Sequence, residues 1–227
     1  QNATLEEKFQ RAAALGFDGI EMIVRDAPNM HGMMALQASG RAELIRLCGQ
    51  HGLLISSLSL ATWREHNCLT TDYEKWSEGK QHLIEAIACA NALDADGILL
   101  PHFGPMEPKL DDPALEWDCR GLRECAAQAE NPDLLLCVEC TVDAATMIGI
   151  CEMADHPQVG IYYDLGNLKS AGFDRAAQMR RVAEGVKMIH IKEAGADLVG
   201  QGEVDLAECF AAMHDIGYDG WLVFETA

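Results

Sequence analysis

Short apolar runs alternate with longer amphipathic stretches along the whole chain, the pattern of strand–helix units that build a parallel sheet. Thr4-Leu-Glu-Glu7 has capping-box spacing and predicts a helix through Ala14. Leu15-Gly-Phe-Asp-Gly19 then turns into a strand over Ile20–Val24. A helix around Arg41–His51 leads to a strand over Leu53–Leu60, and a helix from Asp72 to Leu93 feeds a strand over Gly97–Phe103. Beyond a Pro/Gly-rich loop at 101–113, a helix to Ala129 precedes the strand Leu134–Glu139. Three further units predict strands over Val159–Asp164, Val186–His190 and Trp221–Glu225. The turn Gly16-Phe-Asp-Gly19 recurs as Gly217-Tyr-Asp-Gly220, each time between a helix and a strand, with glycine ending the helix.

Seven strands separated by helices predict an α/β protein of the TIM (β/α)8 barrel type, in which eight strands close the sheet. The chain opens on a helix and stops two residues after Glu225, so strand 1 and the last helix are expected to be missing from the numbered chain. Residues 1–227 are expected to form a single domain, since that length suits one large α/β unit.

Four of the predicted strands end on a side chain that can ligate a metal: Glu139, Asp164, His190 and Glu225. If the strands are parallel and close into a barrel, all four gather at one rim, where such barrels carry their active sites. Three carboxylates and one imidazole in one place suit a divalent cation better than they suit one another. The donor set favours one divalent metal ion, Mn²⁺ foremost, with Mg²⁺, Co²⁺ or Zn²⁺ as alternatives.

Composition narrows the partners. Apolar residues at 49% and charged residues at 23% describe an ordinary globular protein. A net charge of −19 repels phosphate backbones and argues against nucleic acid, as does the lack of any basic patch. No apolar run approaches membrane-spanning length. The nine cysteines are odd in number and scattered, which predicts buried thiols in a reducing, cytoplasmic setting. Cys137 and Cys140 flank Glu139, but residues three apart on a strand point to opposite faces, so shared redox or metal work is not expected. Asn2-Ala-Thr4 matches a glycosylation sequon by chance on this reading.

Glu139 on its strand, Tyr163-Asp164-Leu-Gly-Asn167, His190-Ile-Lys192, Gly200-Gln-Gly202-Glu-Val-Asp205 and Gly217-Tyr-Asp-Gly220 ahead of Glu225 follow one another in order. Together these motifs resemble the sugar-phosphate isomerase/epimerase family, the xylose isomerase-like TIM barrels. Asp-x-Gly-Asn, His-x-Lys and Gly-x-Gly look most like its ketose-phosphate 3-epimerase and hexulose-phosphate isomerase branch. The resemblance implies that Glu139, Asp164, His190 and Glu225 bind one divalent cation, and that Glu139 and Glu225 also act as catalytic acid and base. It implies isomerisation or epimerisation of a ketose or ketose phosphate, by removal of the proton α to a carbonyl through a metal-stabilised enediolate. A sugar or inosose dehydratase on the same barrel begins the same way. An endonuclease IV-like DNA-repair nuclease shares the fold but needs a basic phosphate-tracking face.

Other residues enter as substrate-binding candidates. Lys192 lies two residues past His190 and so shares its side of the strand. Asn167 stands three after Asp164, Glu21 follows the first Gly-Phe-Asp-Gly turn, and His102 ends its strand where it could line the mouth. The remaining histidines (31, 51, 66, 82, 156 and 214) show no ligand spacing. The resemblance places the Gly200–Gly202 loop near the substrate, where its backbone amides could hold an oxyanion. The partner expected is a small-molecule sugar or sugar phosphate, and the sequence leaves a homo-oligomer open.

Overall fold

A computed structural model describes residues 3–25, 37–196 and 198–225. Asn2 of the sequon and His31 lie outside them. Helix α1 (Leu5–Ala14) begins with the predicted capping box, Thr4 and Glu7 satisfying one another's backbone N–H groups. It leads to β1 (Gly19–Val24), α2 (Ala38–His51) and β2 (Leu54–Leu60). Gly52 ends α2 at φ 67°, a left-handed conformation in which other residues carry a Cβ penalty. Then follow α3 (Tyr73–Ala92), β3 (Gly97–His102), α4 (Pro113–Ala126) and β4 (Leu135–Cys140). The chain continues through α5 (Ala144–Ala154), β5 (Val159–Asp164), the short α6 (Leu165–Ser170) and α7 (Arg175–Val182). It ends with β6 (Val186–Ile191), α8 (Leu206–Asp215) and β7 (Leu222–Phe224). Asp72, Asp112, Asp143, Asp174 and Asp205 cap the helices that follow them, each through its side-chain oxygen.

The seven strands form one parallel sheet in the order β1-β2-β3-β4-β5-β6-β7. Neighbours in sequence are neighbours in space, and the sheet curls into a nearly closed barrel with helices outside. Among the described residues β1 and β7 do not pair. Side chains bridge that seam instead: Phe17 meets Phe224 edge-on at 5.8 Å, and Trp221 packs where a Cβ on Gly19 would come within 2.9 Å of its ring. Leu222 and Phe224 on the outer side of β7 stay 39% and 50% exposed, because no described helix covers them.

Strand alternation divides the apolar residues into two cores. The large one lies between the sheet and the helices and takes Met22, Leu58, Ile98, Leu136, Val138, Ile161 and Ile189. The smaller one fills the barrel with Leu99, Cys137, Tyr162 and Met188. Gly97 faces inward, and any side chain there would strike the Met188 sulfur, 2.5 Å from the position of a Cβ. Cys137 belongs to the inner core and Cys140 to the outer one, so the pair points apart as its spacing predicts. No disulfide joins any of the nine cysteines. No described helix is long and apolar enough to cross a membrane.

Candidate active site

The inward register that carries Leu99 and Pro101 on β3 also carries Cys137 and Glu139 on β4, Tyr162 and Asp164 on β5, and Met188, His190 and Lys192 along and beyond β6. Val223 and Glu225 continue it at β7. Each of β4, β5, β6 and β7 therefore delivers an ionisable group to the barrel mouth one pleat above an interior residue. Glu139, Asp164, His190 and Glu225 offer one ligand atom each, all within 4.8 Å of one another. Glu139, His190 and Glu225 line a cavity of about 790 Å³ together with Glu21, Arg25, Arg64, Phe103, Asn167 and Lys192, among others, while Asp164 is buried beside them.

His190 is the hub. Its Nδ1 lies 3.2 Å from Glu225 Oε2, 3.5 Å from Asp164 Oδ2 and 3.6 Å from Glu139 Oε1. Both His190 Nδ1 and Asp164 Oδ2 are buried without a hydrogen-bond partner. Orphaned buried polar atoms are rare and call for a partner. Two of them facing each other, between two further carboxylates, fit a divalent cation held by three oxygens and one imidazole nitrogen. The other oxygen of Asp164 is already used, accepting from the Asn167 backbone N–H at 2.7 Å and so capping α6. Asn167 also donates from Nδ2 to Glu139 Oε1 at 3.1 Å, which holds that carboxylate in place.

A sequence profile described as "Xylose isomerase-like TIM barrel" matches residues 9–227. The chain belongs to that family. It is similar to L-ribulose-5-phosphate 3-epimerase UlaE of Salmonella paratyphi C, 24% identical over 233 residues that cover 96% of this chain and 81% of the relative. Its fold matches a D-psicose 3-epimerase from Clostridium cellulolyticum H10, solved with D-tagatose, at a TM-score of 0.82 and 18% identity, over 99% of this chain and 80% of that one. It also matches the 3-keto-D-glucoside 4-epimerase YcjR from Escherichia coli at a TM-score of 0.76 and 16% identity, over 97% of this chain and 86% of that one.

In this xylose isomerase-like barrel the two glutamates of the quartet are driven apart in acidity. Burial pushes the Glu139 carboxyl up to about 7, against the opposing pull of His190. The His190 imidazole beside it holds Glu225 down to about 2, with Lys192 adding to the effect against a smaller burial penalty. Burial works to lower His190, but the carboxylates of Asp164, Glu139, Glu21 and Glu225 around it outweigh burial and raise the imidazole above its ordinary value. Lys192 reaches Glu225 Oε2 at 3.0 Å and Asp164 Oδ2 at 3.8 Å. Burial pulls its pKa down, and the neighbouring carboxylates raise it overall.

Two expectations give way to other contacts. His102 is fully buried on the outward side of β3, away from the cavity. Its Nε2 meets Asp118 Oδ2 at 3.0 Å and its Nδ1 the Leu100 carbonyl at 3.0 Å. Register is the reason: Leu99 and Pro101 point inward, so His102 points to the helices. The Gly200–Gly202 loop is also engaged from within, because Gly200 N–H donates to Glu193 Oε1 at 2.8 Å and Val204 N–H to Glu193 Oε2 at 3.2 Å. A side chain of the protein thus takes the place expected for a substrate oxyanion. Ser57 and Tyr162, absent from the sequence expectation, touch Glu21 inside the barrel. They lie 36 and 141 residues from it, too far for a local pattern to link them.

Proposed function

We propose that this chain is a divalent-metal-dependent epimerase of a ketose or ketose phosphate, acting at the carbon beside the carbonyl. The observation that carries this reading is the convergence of Glu139, Asp164, His190 and Glu225 within 4.8 Å at the barrel mouth. The 3-epimerase names of its relatives supply the reaction class. Glu139, Asp164, His190 and Glu225 are the residues that would hold the cation. When bound, it supplies positive charge beside the substrate's carbonyl and hydroxyl oxygens, where negative charge develops as the α proton leaves.

The chain's own groups account for the proton. Epimerisation breaks a C–H bond on one face of the carbon and makes one on the other, with no net oxidation. Glu139 on β4 and Glu225 just past β7 are the two carboxylates placed to serve the two faces. Their divergent acidities suit one to give a proton while the other takes one. Asn167 Nδ2 on Glu139 Oε1 leaves Oε2 for the proton, and Lys192 Nζ on Glu225 Oε2 leaves Oε1. Because both groups change state in each turnover, the reaction runs in either direction.

Arg25 and Arg64 line the same mouth. In a chain with 36 acidic and 17 basic residues, two guanidinium groups at this opening favour a substrate with an anionic end. The same charge balance disfavours a DNA-repair nuclease.

The test strips the protein with a chelator, restores Mn²⁺, Mg²⁺, Co²⁺ or Zn²⁺ separately, and offers a panel of ketoses and ketose 5- and 6-phosphates. The expected product is the C3 epimer, formed only with metal present. An aldose product would make the chain an isomerase, and loss of water would make it a dehydratase. No turnover of any member with any of the metals would sink the proposal.

A further inference from the structure

The Glu21 carboxylate faces the cavity but is fully engaged from behind. Its Oε2 accepts from Ser57 Oγ at 2.6 Å and from Tyr162 OH at 2.9 Å. Its Oε1 lies 3.1 Å from His190 Nε2. These partners come from β2, β5 and β6, so three strands lock one carboxylate on β1. Ser57 is fully buried, Tyr162 and His190 nearly so, and the Tyr162 and His190 rings pack with centroids 4.3 Å apart.

The donor pattern settles the state of the imidazole once it is neutral. An ionised carboxylate only accepts, so the nitrogen facing Glu21 must carry the proton. Nε2–H then points at Glu21, and the Nδ1 lone pair points at Glu139, Asp164 and Glu225, the side on which Nδ1 has no hydrogen-bond partner. Carboxylates that hold the far nitrogen of a ligating histidine fix its tautomer and raise its basicity.

We infer that Glu21 is a positioning residue that fixes His190 as an Nδ1 ligand, with the Ser57 and Tyr162 hydroxyls setting the carboxylate, and that it does not bind substrate. The inference rests on the proposed metal site. Glu21 has no freedom to follow a sugar: moving it would strand two buried hydroxyls and the Nε2–H, each costly to leave unpaired.

The experiment compares wild type with Glu21→Ala and Glu21→Gln. Free Mn²⁺ is titrated by electron paramagnetic resonance, and the His190 Nε2–H is observed by ¹⁵N-histidine NMR in the Zn²⁺-loaded protein, assigned by its loss in His190→Gln. The expected result is a Mn²⁺ affinity reduced roughly 10- to 100-fold in Glu21→Ala. Glu21→Gln, which keeps an acceptor oxygen, should fall between the two, and it carries the comparison alone should the alanine variant not fold. The Nε2–H resonance should exchange with water faster in both variants. Mn²⁺ binding within about twofold of wild type with an unchanged Nε2–H, or a changed KM at saturating metal with no change in metal affinity, would overturn the inference. A wild-type protein that binds no divalent cation would overturn both this inference and the proposed function.

Discussion

The Lys192 ammonium lies 3.0 Å from Glu225 Oε2, inside the carboxylate cluster and two residues past the His190 imidazole. A fixed positive charge therefore already competes for two of the oxygens that would hold a cation, since Asp164 Oδ2 is also 3.8 Å away. Lys192 is tied to the quartet in a way that a purely substrate-binding lysine would not be. Lys192→Met should tighten Mn²⁺ binding by roughly three- to tenfold at low ionic strength, an effect that added salt erases. It should also lower kcat/KM, because Glu225 loses the cation that orients it. Parallel metal titrations and kinetics at two salt concentrations check this. An unchanged metal affinity would show that the ammonium swings clear before the cation binds.

Glu139→Gln and Glu225→Gln should each reduce kcat by roughly 10²- to 10⁴-fold while Mn²⁺ remains bound. Glutamine keeps an oxygen toward the site but cannot take up the proton of the reacting carbon. Steady-state kinetics at saturating Mn²⁺ are the check. If only one variant loses turnover, a single group handles the proton, and a one-base isomerase replaces the two-base epimerase.

Metal affinity should depend on pH with a definite sign. Below about pH 7 the Glu139 carboxyl holds a proton in the metal-free protein, and the raised His190 imidazole holds another. Both must leave for the cation to bind. Mn²⁺ affinity should therefore fall as pH drops, by about tenfold per pH unit for each proton displaced. Calorimetry in buffers of different ionisation enthalpy measures that number directly. An affinity independent of pH between 5 and 8 would contradict it.

His102 and Asp118 should matter to stability alone. Both are buried, and Trp63 packs beside them with its Nε1 3.5 Å from His102 Nε2. Burial works to lower the His102 pKa, and the Asp118 charge and hydrogen bond raise it overall. Removing one partner of such a pair costs about 3–5 kcal/mol. The raised folded value means that the pair's contribution is complete below the unfolded pKa of about 6.5 and is lost as pH rises through the folded one. Denaturant melts of His102→Gln should lie far below wild type at pH 5–6 and approach it at alkaline pH. A constant gap across that range would show that packing, not ionisation, sets the difference.

The candidate site was legible to the extent that strand period and strand end were. Glu139, Asp164, His190 and Glu225 each close an apolar run, and Lys192 follows His190 by two, so parity alone placed them inward. The same parity, counted from Leu99, puts His102 on the outer side. What the chain could not display locally was pairing across the barrel. Glu21 meets Ser57, Tyr162 and His190 from 36, 141 and 169 residues away, and the supporting role proposed for it rests on those partners. The glycine loop differs from expectation for a related reason, because the acceptors for the Gly200 and Gln201 amides, Glu193 Oε1 and the Leu198 carbonyl, belong to the chain itself. Sheet order followed from alternation, while the unpaired edges of β1 and β7 are seen only in the pairing of the described strands.

The central claim is that this site removes and returns the proton α to a ketose carbonyl with the help of a divalent cation. It is tested by incubating the Mn²⁺-loaded protein with a ketose or ketose phosphate in D2O, removing the metal with chelator, and locating deuterium by NMR. The account predicts one deuteron at C3, appearing together with the C3 epimer and absent from chelator-treated protein. Formation of the epimer with no deuterium at that carbon, or equal exchange without metal, would contradict it.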